Sequence, residues 1–532
     1  MNTKISLGSL TKIVNIIFLI VLENFILDGA IGFFAVPLIL YYVVYTAFFS
    51  SIQTGIAKMV SIRNSKGING NSKRIVKPAL AYVVIFGLII TGLTYIFLQA
   101  KAIDVFKVTY PVPVIMILCA VLILNGIVDV LCGYHTGNGN DGVVVIVNIL
   151  KMVLPVIFSF FLIRMFRDYG KKIAGLLKNE VVVDAYVAMG VALVYACTIA
   201  LVCIILIILT LYTRKYTKIE KTVRGIDSRR SVAGGFITVN LRIMMNRIVT
   251  VLSFAVCILA YLKSVIKTDL PVDSAYTNVG VLFVRILLPV LLVMILFGEY
   301  ISKEKHRLHI DFRKDEIKTM IVRTQYMIKN TFFMLIPPTM ILVFLAQPIA
   351  KVLFKGQSVL AASYLKSGGA LLLVAGLACA LAGAVSAFDK EKIVWVIQGI
   401  AFVAQVIFLL AGFSKNAGDS MQILYSFYLY FGVQICLLFV FVYGTARVDF
   451  LDILLKLGKY GVAGIIMMVL FMMLERFVTM NLLVLFLSVF LGYLLYYLTL
   501  IALHGISKKD EAALKRTLNY YPVHFLRSRL RL

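Results

Sequence analysis

Charge is scarce in this chain and unevenly signed. Asp, Glu, Lys and Arg make up 15% of its 532 residues, with 25 acidic against 53 basic side chains. That scarcity, beside 61% hydrophobic residues and a mean hydropathy of +0.97, excludes an ordinary soluble domain. None of the seven cysteines (Cys119, Cys132, Cys197, Cys203, Cys257, Cys379 and Cys436) has a CxxC partner, which argues against a disulfide framework or a thiolate metal site. No Walker A loop, GxSxG elbow or HExxH pair is present, so nothing points to an ATPase, a serine hydrolase or a zinc protease. The expectation is a protein that is not an enzyme and holds no metal or organic cofactor. The single tryptophan, Trp395, stands at the start of an apolar run and reads as an interfacial anchor. The first apolar run has no small-residue cleavage site and keeps Glu23, Asn24 and Asp28, so it reads as an uncleaved span.

Apolar runs of about 20 residues, long enough for ~30 Å of hydrocarbon, recur from end to end. Fourteen can be drawn: 12–32, 35–60, 78–99, 111–132, 142–163, 184–212, 234–262, 275–300, 327–350, 365–388, 393–413, 421–444, 458–475 and 480–503. A membrane β-strand needs only ~9–11 alternating residues, so continuous runs of this length predict helices. The fold class is therefore an all-α polytopic membrane protein with about 14 transmembrane helices.

Orientation follows from basic residues in the connections. With the N-terminus inside, the inside segments 1–12, 61–77, 213–233, 301–329, 389–392, 445–457 and 504–532 hold 33 of the 53 Lys and Arg. This places both termini in the cytoplasm and the chain in the cell membrane. One connection resists, because Arg164, Arg167, Lys171, Lys172 and Lys178 fall outside. The net charge of +28 is met by anionic lipid headgroups at ~1 kcal/mol per basic residue, and no nucleic acid is required. The stretches 303–329 and 508–531 read as solvated or interfacial, and His306 with His309 as a surface pair rather than a metal site.

A duplication is visible in the connections. In each set of six spans the second ends in a basic segment, 61–77 and 302–329, and a short turn joins the fourth and fifth. Those turns are GYHTGNGND from Gly133 and SAFDKEK from Ser386. An even number of spans gives parallel repeats. The expected organisation is a lobe over 1–212, a basic linker over 213–233, a second lobe over 234–444, two further spans over 445–503 and a basic tail over 504–532.

Five basic residues, Lys58, Lys151, Arg242, Arg247 and Arg285, lie inside these runs, against three deep acids, Glu23, Asp28 and Asp129. A charge near the bilayer centre costs at least ~2.5–3.5 kcal/mol, so such groups face a protein interior or a wet cavity. Polar side chains recur on faces: Thr46, Ser50, Thr54 and Lys58 in the second run, Thr238, Arg242, Asn246 and Thr250 in the seventh, Asn278 and Arg285 in the eighth. Asn125 pairs with Asp129 in the fourth, and Asn148 with Lys151 in the fifth, where Pro155 follows one turn on. For hydroxyl and amide groups interhelical hydrogen bonding explains the pattern. The excess of deep cations points instead to an anionic cargo, while the acids are candidate cation or proton sites, or partners of Lys and Arg in helix packing.

Three segments carry a family resemblance. GAIGFFAVPLILYYVVYTAFFSSIQTGIAKMVSIRNSKGINGNSKRIVKPAL (29–80) is similar to the first two spans of the polysaccharide exporter and stage V sporulation protein B type. GYHTGNGNDGVVVIVNILKMVLPVIF resembles that family's turn into the fifth span, with Cys132 where the turn usually has arginine. MLIPPTMILVFLAQPIAKVLFKGQ resembles its ninth span. The group belongs to the multidrug/oligosaccharidyl-lipid/polysaccharide exporter superfamily, with the lipid II flippases. The resemblance implies two six-span lobes around a central cavity, alternating access, and export of an undecaprenyl-diphosphate-linked oligosaccharide. It also implies diphosphate binding by basic cavity residues, here Lys58, Arg242, Arg247 and Arg285, with Lys151 as a further deep cation. Drive would come from Na⁺, H⁺ or the membrane potential, membrane lipids would surround the chain, and wall-synthesis enzymes would be partners. Two alternatives stay open: a Na⁺- or H⁺-coupled multidrug or metabolite exporter, and a non-transporting scaffold for wall assembly.

Overall fold

Inside hydrocarbon no water can satisfy a peptide group, so each apolar run must close its own hydrogen bonds as a helix. The computed structural model describes residues 7–505 apart from 24–25, 27, 66–68, 107, 217–228, 267, 269, 355–357 and 479, and within the helices it omits the side chains of short stretches such as 239–247. Among the described residues there is no strand. Thirteen helices are long and apolar enough to cross a membrane, and Gly8–Leu22 adds a shorter apolar one. The chain is an all-α, multi-pass membrane protein.

The chain runs α1 (Leu7–Glu23), α2 (Asp28–Phe48), α3 (Ile52–Ser65), α4 (Asn69–Phe106), α5 (Pro111–Gly137), α6 (Asp141–Leu177) and α7 (Val181–Tyr216). It continues with α8 (Arg229–Val265), α9 (Val272–Gly280), a π-helical segment (Val281–Leu287), α10 (Leu288–Arg313), α11 (Ile317–Phe344) and α12 (Ala346–Leu353). Last come α13 (Ser358–Gly368), α14 (Leu371–Ala387), α15 (Glu391–Lys415), α16 (Met421–Ala446), α17 (Phe450–Phe477) and α18 (Asn481–Ala502). The first boundary falls earlier than expected, because polar Glu23 and Asp28 interrupt the apolar run there. The second, eighth, ninth and tenth runs, read as single spans, are each broken or locally rewound. Between α2 and α3 the Ser50 amide reaches back five residues to the Tyr45 carbonyl at 2.9 Å, a π-type turn. Most of the linker, 217–228, and of the tail, 506–532, lies outside the described residues.

The helices gather into two compact units that do not follow chain order. One contains α1, the π segment, α10 to α14, α15 as far as Gly412, and α16 to α18. The other contains α2 to α9 with residues 413–419.

In the unit of α2 to α9, the core of α3, α4 and α5 is built by Phe49, Ile52, Ile56, Val60, Ile75, Val83, Leu122 and Val130. Small residues let backbones meet, as membrane helices require when apolar burial alone gives no drive. At the crossing of α2 and α9, a Cβ on Gly32 would lie 2.1 Å from the Tyr276 carbonyl oxygen, and one on Gly280 would lie 2.6 Å from the Gly32 nitrogen. The basic connection expected beyond residue 163 is mostly helix. Gly170 lets α6 pack against Val183 and Tyr186 of α7, so the two helices form a hairpin that turns at Lys178, whose φ is +50°. At 1.5 Å per residue, the 37 residues of α6 run about 55 Å, well beyond the hydrocarbon core.

Each unit contains a clasp between a helix end and a short turn. In one, Asn64 at the end of α3 donates to the Gly137 carbonyl at 3.3 Å and to Asn138 Oδ1 at 2.9 Å, gripping the turn between α5 and α6. In the other, His309 Nδ1 donates to the Ala387 carbonyl at 3.0 Å and Arg313 pairs with Asp389 at 2.8 Å, gripping the turn between α14 and α15. His309 is thereby a helix-to-turn clasp.

Candidate functional site

A connected polar group lies among α2, α5 and α6. Asn125 and Asp129, one helical turn apart, share a face of α5, and Tyr41 and Tyr45, also one turn apart, share a face of α2. The two pairs form rungs. Asn125 Nδ2 donates to Tyr41 Oη at 3.3 Å, and Tyr45 Oη donates to Asp129 Oδ2 at 2.7 Å. Both rungs join residues 84 apart in sequence, so α2 and α5 run in the same direction. The tyrosine rings stack with centroids 5.9 Å apart and planes 14° from parallel. From α6, Lys151 Nζ donates to Asn125 Oδ1 at 3.2 Å. Asp129 is buried, and Lys151 is half-buried. Pro155 has no N–H, so it leaves the Lys151 carbonyl without its usual helical donor. One carboxylate and one ammonium thus share an interior of tyrosine hydroxyl and amide groups.

A second deep cation belongs to the other unit. Arg285, 1% exposed, sits in the π segment with its guanidinium carbon 5.4 Å from the Phe354 ring centroid. The seven-residue spacing that predicts a shared face for Asn278 and Arg285 assumes a regular α-helix. The wider π turn breaks that register, and Asn278 instead donates to Tyr261 Oη of α8 at 3.3 Å. The expected stripe Thr46–Ser50–Thr54–Lys58 is likewise interrupted between α2 and α3. Ser50 and Thr54 turn their hydroxyls onto the carbonyls of Thr46 and Ser51, at 3.0 and 3.1 Å, and Lys58 is exposed on α3. The side chains of Arg242, Arg247, Glu23 and Asp28 lie outside the described residues.

The stretch 303–329, read as solvated, is partly internal. Glu304 and Asp311, seven apart on α10, are buried and both face Arg323 of α11, which lies 3.6 Å from Glu304. Lys329, 5% exposed, pairs with Asp452 of α17. This pair predicts an asymmetry. Asp452→Ala should lower stability by about 2 kcal/mol because it strands a buried ammonium, whereas Lys329→Met should cost less because the Asp452 side chain is 43% exposed and can rehydrate. Thermal unfolding in detergent measures both, and equal losses would contradict the asymmetry.

The sequence pointed to Asn125, Asp129, Lys151 and Arg285 as polar groups within spans and passed over Tyr41, Tyr45, Lys329 and Asp452, which the structure pairs with polar groups as well. The tyrosine spacing in LYYVVY carried a signal, since two hydroxyls four residues apart face one side of a helix.

No protein-family model matches the chain, and no curated protein matches it in sequence. Solved structures do. A lipid II flippase MurJ in an inward closed conformation superposes with TM-score 0.62 and 12% identity, over 93% of this chain and 96% of that one. An inward-facing multidrug resistance MATE family transporter of the MOP superfamily gives TM-score 0.59 and 12% identity, over 82% and 94%. A MOP superfamily transporter from Pyrococcus furiosus, described as having a binding pocket of reverse polarity, gives TM-score 0.53 and 13% identity, over 83% and 95%. At such low identity these likenesses show a shared fold.

Proposed function

We propose that this chain is an alternating-access transporter that flips an undecaprenyl-diphosphate-linked oligosaccharide, a cell-wall or surface-polysaccharide precursor, across the cytoplasmic membrane. The observation that carries the reading is Arg285, a fully buried arginine in the apolar π segment VLFVRIL. A guanidinium presents parallel donors that match phosphate oxygens, and a deep cation is expensive to keep unless it serves a function. The fold likeness to a lipid II flippase over 93% of the chain supports the same class of cargo. Arg242 and Arg247 on α8, with Lys58, would supply further positive charge along the headgroup path. The polyprenyl tail would stay in lipid while the sugar crosses. Drive would come from an ion gradient, the membrane potential or downstream consumption by wall-synthesis enzymes, with both termini in the cytoplasm.

Reconstitution into vesicles tests the reading. A fluorescent sugar on undecaprenyl diphosphate should cross at least ~10-fold faster than the same sugar on undecaprenyl monophosphate, because a second phosphate adds charge-assisted contacts of ~1.5–3 kcal/mol. Equal rates for the two lipids, or no translocation, would defeat it. Buried Asp129 is the observation that favours the other reading, a cation-coupled exporter. Ethidium efflux that follows an imposed Na⁺ or H⁺ gradient in the same vesicles would establish that alternative.

A further inference from the structure

The Asp129 site contains a carboxylate and a cation that is part of the chain. Lys151 Nζ is hydrogen-bonded to Asn125, which stands one helical turn from Asp129 on the same face of α5, so the ammonium lies about one turn from the carboxylate. Among the described residues no ion pair within 4.0 Å joins the two, so the ammonium is held on the amide oxygen rather than on the acid. The oxygens gathered here are Asn125 Oδ1, the Asp129 carboxylate and the hydroxyls of Tyr41 and Tyr45. Carboxylate, carbonyl and hydroxyl oxygens are the ligands a hard cation takes. An ammonium on a four-carbon stem and an alkali-metal ion are both compact monovalent charges, and a single carboxylate can be neutralised by one of them at a time.

We propose that Lys151 is a tethered counter-cation for Asp129, occupying the place that a soluble Na⁺ would take, and that its removal uncovers a Na⁺ site. The consequence for coupling is direct. In the intact chain Na⁺ has no vacancy at Asp129, so any Na⁺ dependence of transport must arise elsewhere. Conformational change would move the ammonium relative to the carboxylate instead of exchanging an ion with solution. This inference does not depend on the identity of the cargo, since it concerns a charge balance inside one unit of the protein.

The test needs no substrate. Thermal unfolding of the detergent-purified full chain is compared in NaCl and in choline chloride at equal ionic strength, for the wild type, Lys151→Arg, Lys151→Met and Lys151→Met/Asp129→Asn. The wild type and Lys151→Arg should unfold at the same temperature in both salts. Lys151→Met should be stabilised by Na⁺ by at least ~2 °C, and the double variant should lose that response. Equilibrium binding of ²²Na⁺ should show one Asp129-dependent site in Lys151→Met and none in the wild type. Two results would overturn the proposal: Na⁺ stabilisation of the wild type that Asp129→Asn removes, or a folded Lys151→Met protein indifferent to Na⁺. If Lys151→Met does not fold, Lys151→Gln takes its place. If neither variant folds, ²²Na⁺ binding by the wild type decides, with an Asp129-dependent site refuting the tether and none upholding it. A merely structural lysine would lower stability equally in both salts.

Discussion

Reconstituted Arg285→Ala and Arg285→Met proteins should translocate a diphosphate-linked lipid at no more than about one-hundredth of the wild-type rate, while Arg285→Lys should keep a measurable fraction. The size follows from losing two charge-assisted hydrogen bonds of ~1.5–3 kcal/mol each, partly offset by any remaining basic groups on the path. Lysine retains the charge but not the planar pair of donors, so it should rank between arginine and methionine. Stability separates this role from a structural one. A desolvated arginine that only packs against Phe354 would leave a cavity and unpaired contacts when truncated, and the protein would weaken. Replacing a whole buried ion pair by apolar side chains is often neutral or stabilising, by ~1–4 kcal/mol, whereas removing one partner alone costs ~3–5 kcal/mol. Arg285→Met should therefore lose transport whatever its unfolding temperature, and Arg285→Lys, which keeps the charge, should stay folded while transporting less. An Arg285→Met protein that transports normally would remove the guanidinium from the cargo path.

Gly32→Ala should be among the most damaging single-methyl additions in the chain. The added carbon would sit 2.1 Å from the Tyr276 carbonyl oxygen and 2.3 Å from the carbonyl carbon, where no side-chain rotation can relieve it. Overpacking costs ~1–3 kcal/mol when side chains can yield, and here two helices must separate. A loss above ~3 kcal/mol is expected, and Gly32→Leu should yield no monodisperse protein on size-exclusion chromatography. Gly92→Ala on α4 is the matched control, since a Cβ there has nothing within 4 Å and alanine gains ~0.8–1.0 kcal/mol of helix propensity. Equal unfolding temperatures for the two variants would show that α2 and α9 are not held in backbone contact.

Much of the architecture was legible because hydrocarbon forces it. A run of about 20 apolar residues has only a helix available, so the spans could be drawn before their packing was known. The two short turns at 138–140 and 388–390 were legible because turns are made of the residues least like the spans, and both stand out in the sequence. The breaks at 49–51 and 281–287 were not legible. VLFVRIL is as apolar as its neighbours, and the extra residue of a π turn leaves no compositional trace. Chain order also hid the grouping of α1 with the helices of the second half, because nothing in a helix's own sequence says which neighbour it will meet.

The polar ladder was half legible for a chemical reason. Asn125, Asp129 and Lys151 are conspicuous in lipid, but Tyr41 and Tyr45 count as hydrophobic by any scale that weighs rings over hydroxyls. Arg323 and Lys329 were misread in the opposite direction. A charge-rich stretch at a span end reads as solvated until its acids, Glu304 and Asp311, prove to share one face of α10.

The two rungs between α2 and α5 repeat with the pitch of the helices that carry them. Their spacing is therefore also a unit of travel. If α2 slides by one turn, ~5.4 Å, Tyr41 arrives opposite Asp129, or Tyr45 opposite Asn125 in the other direction, and one hydroxyl bond re-forms at once. Intermediate positions leave both hydroxyls between partners. In such a slide the ladder would act as a pawl on a toothed rack, resisting small shear and favouring whole-turn steps between discrete registers.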